Sequence, residues 1–318
     1  MDSILSALRA AGEPTRLRIL GLLGHGELTV TELTQILRQS QPRVSRHLRL
    51  LSEAGLLDRF REGAWVFYRL IEEGPIAHLA RTIVDLIPED DLEHQRDLER
   101  LADVRAARAE AAAAYFRANA PHWNKIRSLY VPEEEVERRL LAVLDEIEVR
   151  DLLDIGTGTG RILEVFAPHI ERGLGIDLSP EMLTVARTSL AARDLAHCQV
   201  RLGDMYDIPA ANESFDLVIF HQVLHFADDP ALAIREATRV LRPGGQALIV
   251  DFAPHECEFL RDEHQHRRLG FADEEVTGWA ESAGLAPIGI EHLDGGELTV
   301  SLWRLTRPAL ARLRETAA

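Results

Sequence analysis

Cysteine and long apolar runs are scarce in this 318-residue sequence. Only Cys198 and Cys257 occur, which argues against a disulfide framework and suits a reducing cytoplasm. No apolar run approaches the ~18 residues that span a bilayer, and the N-terminus lacks a basic region followed by an apolar stretch. We therefore expect no membrane association, no signal peptide and a cytoplasmic location. Hydrophobic residues make up 46% of the chain, enough for a sizeable core, and the length allows two domains.

Acidic residues outnumber basic ones, 52 to 36, which gives a net charge of −16. Residues 1–86 nevertheless hold eleven arginines and ten acidic residues, a net charge of +1, so the remainder of the chain carries −17. Within this first part, residues 38–69 hold seven arginines and three acidic residues. An acidic protein with one basic stretch can bind DNA, because the local field matters at contact range.

The most informative stretch is 152–160, Leu-Leu-Asp-Ile-Gly-Thr-Gly-Thr-Gly. Its apolar start predicts a buried strand, and an apolar helical pattern follows the glycines. Glycines at a strand-to-helix turn let the backbone approach a ligand closely. A second predicted strand ends at Asp177, where a carboxylate can hold ribose hydroxyls.

The glycine spacing and Asp154 bear on which cofactor binds. The dinucleotide fingerprint is G-x-G-x-x-G, whereas this stretch reads G-x-G-x-G. A carboxylate at the first strand end repels a pyrophosphate and attracts a cation. S-adenosyl-L-methionine carries an ammonium and a sulfonium and no phosphate, so the residues favour it over NAD. A doubly wound domain that binds another nucleotide is the alternative.

Three further motifs follow in order. A short strand over 199–202 precedes Gly203-Asp204-Met205, residues 215–221 predict a fourth strand, and 241–245 predict the turn before a fifth. Together these motifs resemble the class I S-adenosylmethionine-dependent methyltransferases, over roughly residues 115–307. The resemblance implies a Rossmann-like α/β domain with a seven-stranded sheet and a small-molecule methyl acceptor. Arsenite is disfavoured as the acceptor, because that chemistry needs several thiolates and only two cysteines exist.

The resemblance also assigns cofactor-binding roles. Asp154 holds the methionine ammonium, Asp177 takes both ribose hydroxyls, and Asp204 accepts from the adenine amino group. The remaining implied residues line the methionyl and ribose path or border the adenine: Gly156, Thr157, Gly158, Gly160, Leu178, Met182 and Met205.

Histidines mark the end of the sheet where methyl acceptors enter in the resembled fold. His221 and His225 sit at and just after the fourth strand end, and either is a candidate base because imidazole titrates near neutrality. A packed or capping histidine is the alternative. Residues 251–271 follow the fifth strand and are expected to roof the acceptor pocket. We predict no metal site, because their H-x-C and H-x-H pairs lack a firm ligand spacing.

The first part of the chain predicts a winged helix-turn-helix. A helix from about Pro42 to Ala54 places Val44, Leu48 and Leu51 inward, and residues 56–61 and 64–70 alternate like a hairpin. Ser40 or Gln41 is the expected cap. The residues predicted to contact DNA are Gln41, Arg43, Ser45, Arg46, His47, Arg49, Arg59 and Arg61.

Ser45-Arg46-His47-Leu48 and the Glu53-Ala-Gly-Leu-Leu57 that follows resemble the ArsR/SmtB family of bacterial repressors. The resemblance implies a double-stranded DNA operator and a homodimer formed partly by a helix over 72–86. A winged helix used only for protein contact is the alternative. Thr29 and Thr31 stand where arsenic sensors of the family carry two cysteines, so the thiolate site is absent. A nitrogen and oxygen site from His78, Asp85 and His94 is disfavoured, because solvated helix residues explain these positions.

We therefore predict three segments: a DNA-binding domain over 1–86, a connecting helix over 87–119 and a methyltransferase domain over 120–318. Tyr115, Phe116, Trp123 and Tyr130 are expected to fold over the cofactor or to pack on the sheet. The favoured function is a bifunctional regulator and methyltransferase. Two alternatives stay open: a non-catalytic sensor of S-adenosylmethionine or S-adenosylhomocysteine, and a plain methyltransferase whose winged helix dimerises it.

Overall fold

The computed structural model describes residues 1–62, 65–71, 74–120, 133–295 and 297–309. The chain divides into two compact units, residues 1–111 and 112–318. The predicted aromatic residues Trp123 and Tyr130 lie outside the described residues. Among the helices that are described, none is both long enough and apolar enough to cross a membrane.

The first unit is a set of helices with a three-stranded sheet in the order β1-β3-β2. Its elements are α1 (Asp2–Ala11), α2 (Pro14–Leu23), β1 (Leu28–Thr29), α3 (Val30–Leu37), α4 (Gln41–Glu53), β2 (Leu57–Glu62), β3 (Trp65–Leu70), α5 (Ala77–Asp85) and α6 (Leu92–Asn119), whose last residues belong to the second unit.

Helix α3 begins with a reciprocal cap. The Thr29 hydroxyl accepts from the Glu32 backbone N–H at 3.3 Å, and the Glu32 carboxylate accepts from the Thr29 N–H at 2.8 Å. Ser40, one of the two predicted capping residues, lies at the N-cap position of α4, but its side chain makes no capping hydrogen bond, and Gln41 is already helical. Pro42 explains this, because it removes one of the N–H donors that a cap would satisfy.

The predicted inward face of α4 is confirmed, because Val44, Leu48 and Leu51 are buried in the first unit's core. The hairpin is confirmed too, with β2 and β3 paired antiparallel from Leu57 opposite Leu70. Helix α5 is shorter than predicted and begins at Ala77. The reason is Gly74, which adopts a φ of 85° and precedes a proline that disfavours helical backbone before it.

Helix α6 belongs in its first half to the first unit. Leu101 and Val104 pack in that unit's core, and the Asp97 carboxylate receives two hydrogen bonds from Arg18 at 2.6 and 2.8 Å. Asp97 also accepts from Arg100 at 3.0 Å. The boundaries predicted at 86 and 119 remain predictions.

The second unit is built on a seven-stranded sheet in the order β6-β5-β4-β7-β8-β10-β9, as predicted for a class I methyltransferase. Its elements are α7 (Glu133–Leu141), β4 (Asp151–Ile155), α8 (Arg161–Phe166), β5 (Arg172–Asp177), α9 (Pro180–Ala192), β6 (Cys198–Leu202), β7 (Phe215–His221), α10 (Pro230–Val240), β8 (Leu241–Phe252), α11 (Phe259–His264), α12 (Asp273–Ser282), β9 (Ala286–Asp294) and β10 (Thr299–Thr306).

Strands β4 to β8 pair in parallel, and β10 pairs antiparallel with β8 and β9. The chain runs from β4 outward through β5 and β6, then returns to β7 on the other side of β4. The order therefore reverses at β4, and ligands bind at such a switch point beyond the carboxyl ends of the strands. The predicted turn over 241–245 is instead a register irregularity within β8, because Leu241 already pairs with Phe215.

Candidate functional site

The loop after β4 contains three glycines in left-handed backbone conformations. Gly156, Gly158 and Gly160 have φ values of 70°, 53° and 83°, which residues other than glycine rarely adopt. A Cβ on Gly156 would lie 2.3 Å from Cγ2 of Val223, and one on Gly160 would lie 3.1 Å from Cβ of Ala186. The sequence needs glycine here because both the turn and the packing leave no room for a Cβ.

Asp177 ends β5 and fastens the glycine loop to it. Its Oδ2 accepts from the Gly158 backbone N–H at 2.9 Å, and its Oδ1 accepts from the Ser179 N–H at 2.8 Å. Burial raises the pKa of the Asp177 carboxyl, while these backbone donors act in the opposite direction. Taken as a whole residue, Asp177 is half-buried.

Asp154 and Thr157 lie deeper, at the end of β4. Both side chains are buried, at 1% and 5% exposure. The Thr157 hydroxyl has no hydrogen-bond partner among the described residues. A Cβ on Gly175 would lie 2.6 Å from this hydroxyl, so a strand glycine whose role the sequence left unassigned makes room for Thr157. The available signal was a glycine inside a strand, which often marks a close approach.

The residues predicted to border the adenine differ in exposure. Leu178 is 63% exposed, whereas Met182 is 2% exposed and offers little surface to a ligand. Met182 is buried because α9 begins beside it, with the Ser179 hydroxyl accepting from its N–H at 3.2 Å. Asp204 accepts from the Tyr206 N–H at 3.0 Å, and Met205 packs partly buried against the core.

The two candidate bases are both buried at the carboxyl end of the sheet. His221 is the last residue of β7, and His225 lies in the short 3₁₀ turn Leu224–Phe226 that follows. His225 Nδ1 is 2.7 Å from Oδ1 of Asp251, a fully buried carboxylate on β8. Sequence reasoning did not assign Asp251, because its pairing with His225 depends on the neighbouring positions of β7 and β8.

Residues 251–271, which the sequence predicts to roof the acceptor pocket, contain further histidines near His225. His266 stacks on His225 with ring centroids 3.9 Å apart, and the Tyr115 hydroxyl is 2.6 Å from Nδ1 of His264. Burial lowers the pKa of His255 to about 4 and that of His266 well below its ordinary value. Within the described ranges, no three histidine, cysteine or carboxylate side chains are grouped as ligands for a metal ion.

The predicted DNA-contacting residues lie on α4 and on the hairpin. Gln41, Arg43, Arg46, Arg49, Arg59 and Arg61 are exposed, and Ser45 is half-buried. His47 differs, because its Nδ1 is 3.5 Å from the Glu13 carboxylate and burial lowers its pKa. Its ring thus packs toward the start of α2, since Glu13 also caps that helix.

Comparisons with known proteins match both units. Residues 13–59 match the family described as bacterial regulatory protein, arsR family, and residues 153–249 match the methyltransferase domain. The malonyl-[acyl-carrier protein] O-methyltransferase of Dechloromonas aromatica is 32% identical over 60% of this chain and 71% of its own.

Two further proteins match smaller shares of the chain. The uncharacterized methyltransferase YcgJ of Bacillus subtilis is 31% identical over 33% of this chain, which spans 42% of that relative's length. A solved geranyl diphosphate methyltransferase in complex with S-adenosylmethionine shares the fold at a TM-score of 0.50 and 15% identity, covering 55% of this chain and 78% of its own. The chain therefore belongs to the class I methyltransferases and carries an ArsR-family helix-turn-helix domain ahead of its methyltransferase domain.

Proposed function

We propose that the protein is a DNA-binding transcriptional regulator fused to an S-adenosylmethionine-dependent small-molecule methyltransferase, and that both activities are real. The observation that carries the cofactor half is the glycine loop fastened to Asp177. Three left-handed glycines and a carboxylate meet where the strand order reverses.

The residues present fit S-adenosylmethionine better than a nucleoside phosphate. Asp154 and Asp177 supply negative charge at two adjacent strand ends, which suits an ammonium and ribose hydroxyls and disfavours phosphate. The Thr157 hydroxyl is a buried polar atom that has no hydrogen-bond partner among the described residues. When bound, the cofactor supplies a methyl group on a sulfonium. Asp204, Met205 and Leu178 complete the adenine side of the site.

The DNA-binding half rests on the exposed arginines of α4 and the hairpin. Arg43, Arg46 and Arg49 project from α4 while its other face is buried, so the helix presents positive charge to a groove. A homodimer sets two such helices about 34 Å apart to read both half-sites of a double-stranded operator. The two unpaired cysteines accord with a cytoplasmic location.

A non-catalytic sensor is the second candidate, favoured by helix α6. This helix contributes Leu101 and Val104 to the core of the first unit, and Tyr115 and Phe116 to ring contacts in the second. A ligand that orders Tyr115 and Phe116 therefore acts on a helix that continues into the DNA-binding unit.

The test is calorimetric titration of the full chain with S-adenosylmethionine and with S-adenosylhomocysteine, beside binding of the protein's own promoter DNA. We expect binding in all three titrations. Absence of heat with both compounds would overturn the cofactor assignment, and absence of promoter binding would overturn the regulator assignment. Turnover is measured separately, as S-adenosylhomocysteine formed in the presence of a methyl acceptor.

A further inference from the structure

We propose that Asp251 is a positioning residue that holds His225 as a proton acceptor, and that the methyl acceptor is a hydroxyl on a planar ring. The inference rests on the proposed methyltransferase function and names its substrate class.

Asp251 is arranged to orient one imidazole. Its Oδ1 accepts from the Phe252 N–H at 2.9 Å and lies 2.7 Å from His225 Nδ1, and its Oδ2 accepts from the His225 N–H at 3.2 Å. A carboxylate only accepts hydrogen bonds, so Nδ1 of His225 carries the hydrogen. The lone pair of the neutral ring is then on Nε2, the nitrogen that takes a proton.

The position of His225 follows from the glycine loop. Val223, two residues earlier, is the side chain that a Cβ on Gly156 would meet at 2.3 Å. The turn that holds His225 is thus in direct contact with the loop that we assign to the cofactor. A base beside that loop would lie near the methyl group of a cofactor bound there, as proton removal during transfer requires.

Rings surround His225. His266 stacks on it at an interplanar angle of 22°, and Phe226 lies 4.1 Å away between centroids. Phe252 lies 5.5 Å from the same imidazole, and Phe116 packs edge-on against Phe226 at 4.9 Å. Such surroundings favour an acceptor that is itself a flat ring.

The charged groups around the imidazoles are paired with one another. Arg267 is 3.3 Å from Asp228 and Arg268 is 2.7 Å from Glu275. Arg261 is 3.4 Å from Glu258 and faces His255 and His266, which in turn face His225. Guanidinium groups already paired with carboxylates are poor sites for a carboxylate substrate. An acceptor that arrives neutral, with a proton to lose, fits this environment better.

The step balances without a further reactant. The acceptor oxygen forms a bond to the methyl carbon as the sulfur–methyl bond breaks, and that bonding pair stays on sulfur. The hydroxyl proton passes to Nε2 of His225. The resulting imidazolium is stabilised by the Asp251 carboxylate at Nδ1, so the pair ends with no net charge.

The test compares 2-naphthol with 2-naphthoate, probes of the same ring system of which only the first has a hydroxyl proton to lose. Methyl transfer from S-adenosylmethionine is followed by mass spectrometry in the full chain. We expect transfer to 2-naphthol, a fall in kcat of about 100- to 10,000-fold in His225→Ala, and a fall in kcat at unchanged KM in Asp251→Asn with an altered pH profile. Transfer to 2-naphthoate, transfer to neither probe, or an unchanged kcat in Asp251→Asn would overturn the proposal.

A matched control is the second histidine–aspartate pair, His292 and Asp273, whose Nε2 and Oδ2 are 3.1 Å apart. Asp273→Asn is expected to leave kcat and the pH profile as in the parent. Histidine ¹⁵N spectra give a readout independent of turnover, since the Nδ1–H form of His225 should be lost in Asp251→Asn and kept in the control. Calorimetric titration of the same samples with S-adenosylmethionine distinguishes a failure of the proposed function from a failure of the acceptor class. No binding of S-adenosylmethionine by the parent counts against the proposed function, whereas binding without transfer to either probe counts against the acceptor class alone.

Discussion

The two units hold their candidate functional groups in opposite environments. Arg43, Arg46 and Arg49 are exposed on α4, where solvent screens each charge. Asp154 and Asp251 are buried at the strand ends of the methyltransferase unit, where charge interactions are stronger and each group depends on its neighbours. Substitutions on the DNA-binding surface should therefore have small, separable effects, and substitutions around the glycine loop should have large ones.

The largest effect is expected for Gly156→Ala. A φ of 70° is costly for alanine, and its Cβ would lie 2.3 Å from Val223. We expect the free energy of unfolding of the methyltransferase unit to fall by about 3–5 kcal/mol, measured by urea denaturation. Gly278→Ala is the control, because nothing lies within 4 Å of its Cβ and the residue is helical. Equal stability of the two variants would refute the steric account of the loop.

Asp97→Ala tests whether the DNA-binding unit contains an equally sensitive buried group. The change leaves Arg18 and Arg100 without their shared carboxylate. We expect about 3 kcal/mol of destabilisation, seen as faster hydrogen exchange in α2 and the first half of α6. Asp103→Ala, on an exposed position of the same helix, should leave exchange unchanged. If both variants exchange alike, the Asp97 pairs contribute nothing measurable.

Asp177→Ala is expected to weaken S-adenosylhomocysteine binding by about 1.5–3 kcal/mol, because two ribose hydroxyls lose a charged acceptor. Calorimetry measures the change, and Glu281→Ala on an exposed position of α12 is the control. Unchanged affinity in Asp177→Ala would reject the ribose assignment.

The same carboxyl predicts a pH dependence. Burial raises the pKa of Asp177, so affinity for S-adenosylhomocysteine should fall as pH drops through a value above the usual aspartate range. The effect of pH on folding stability has the opposite sign. Because the pKa of Asp177 is higher in the folded than in the unfolded protein, the stability that this carboxyl contributes is fully present below its unfolded pKa. That stability is lost as pH rises through its folded pKa. Calorimetry across pH should show the affinity loss in the parent and not in Asp177→Asn.

Arg46→Ala should have the smallest effect, lowering the salt slope of promoter binding by about one unit if the arginine contacts a phosphate. The matched control is Arg187→Ala, an exposed arginine of α9. Anisotropy titrations at several salt concentrations measure both variants. A slope and affinity equal to those of the parent in Arg46→Ala would remove this residue from the interface.

The contrast between the units also explains what the sequence could predict. Helical periodicity located the buried face of α4, and hence Arg43 and Arg46 on its exposed face. The glycine spacing located the loop after β4. The pairing of His225 with Asp251 needed the parallel register of β7 and β8, which no local pattern encodes. The inward turn of His47 depends on Glu13 in another helix, so periodicity alone placed it with the arginines.

DNA binding and cofactor binding are tested together by fluorescence anisotropy of promoter DNA, titrated with the full chain alone and with saturating S-adenosylmethionine or S-adenosylhomocysteine. We expect at least one compound to shift operator affinity about 5- to 150-fold, a coupling of ~1–3 kcal/mol. Linkage requires operator DNA to change the affinity for that compound by the same factor. Three identical curves would contradict the coupling and leave the two units as independent activities in one chain.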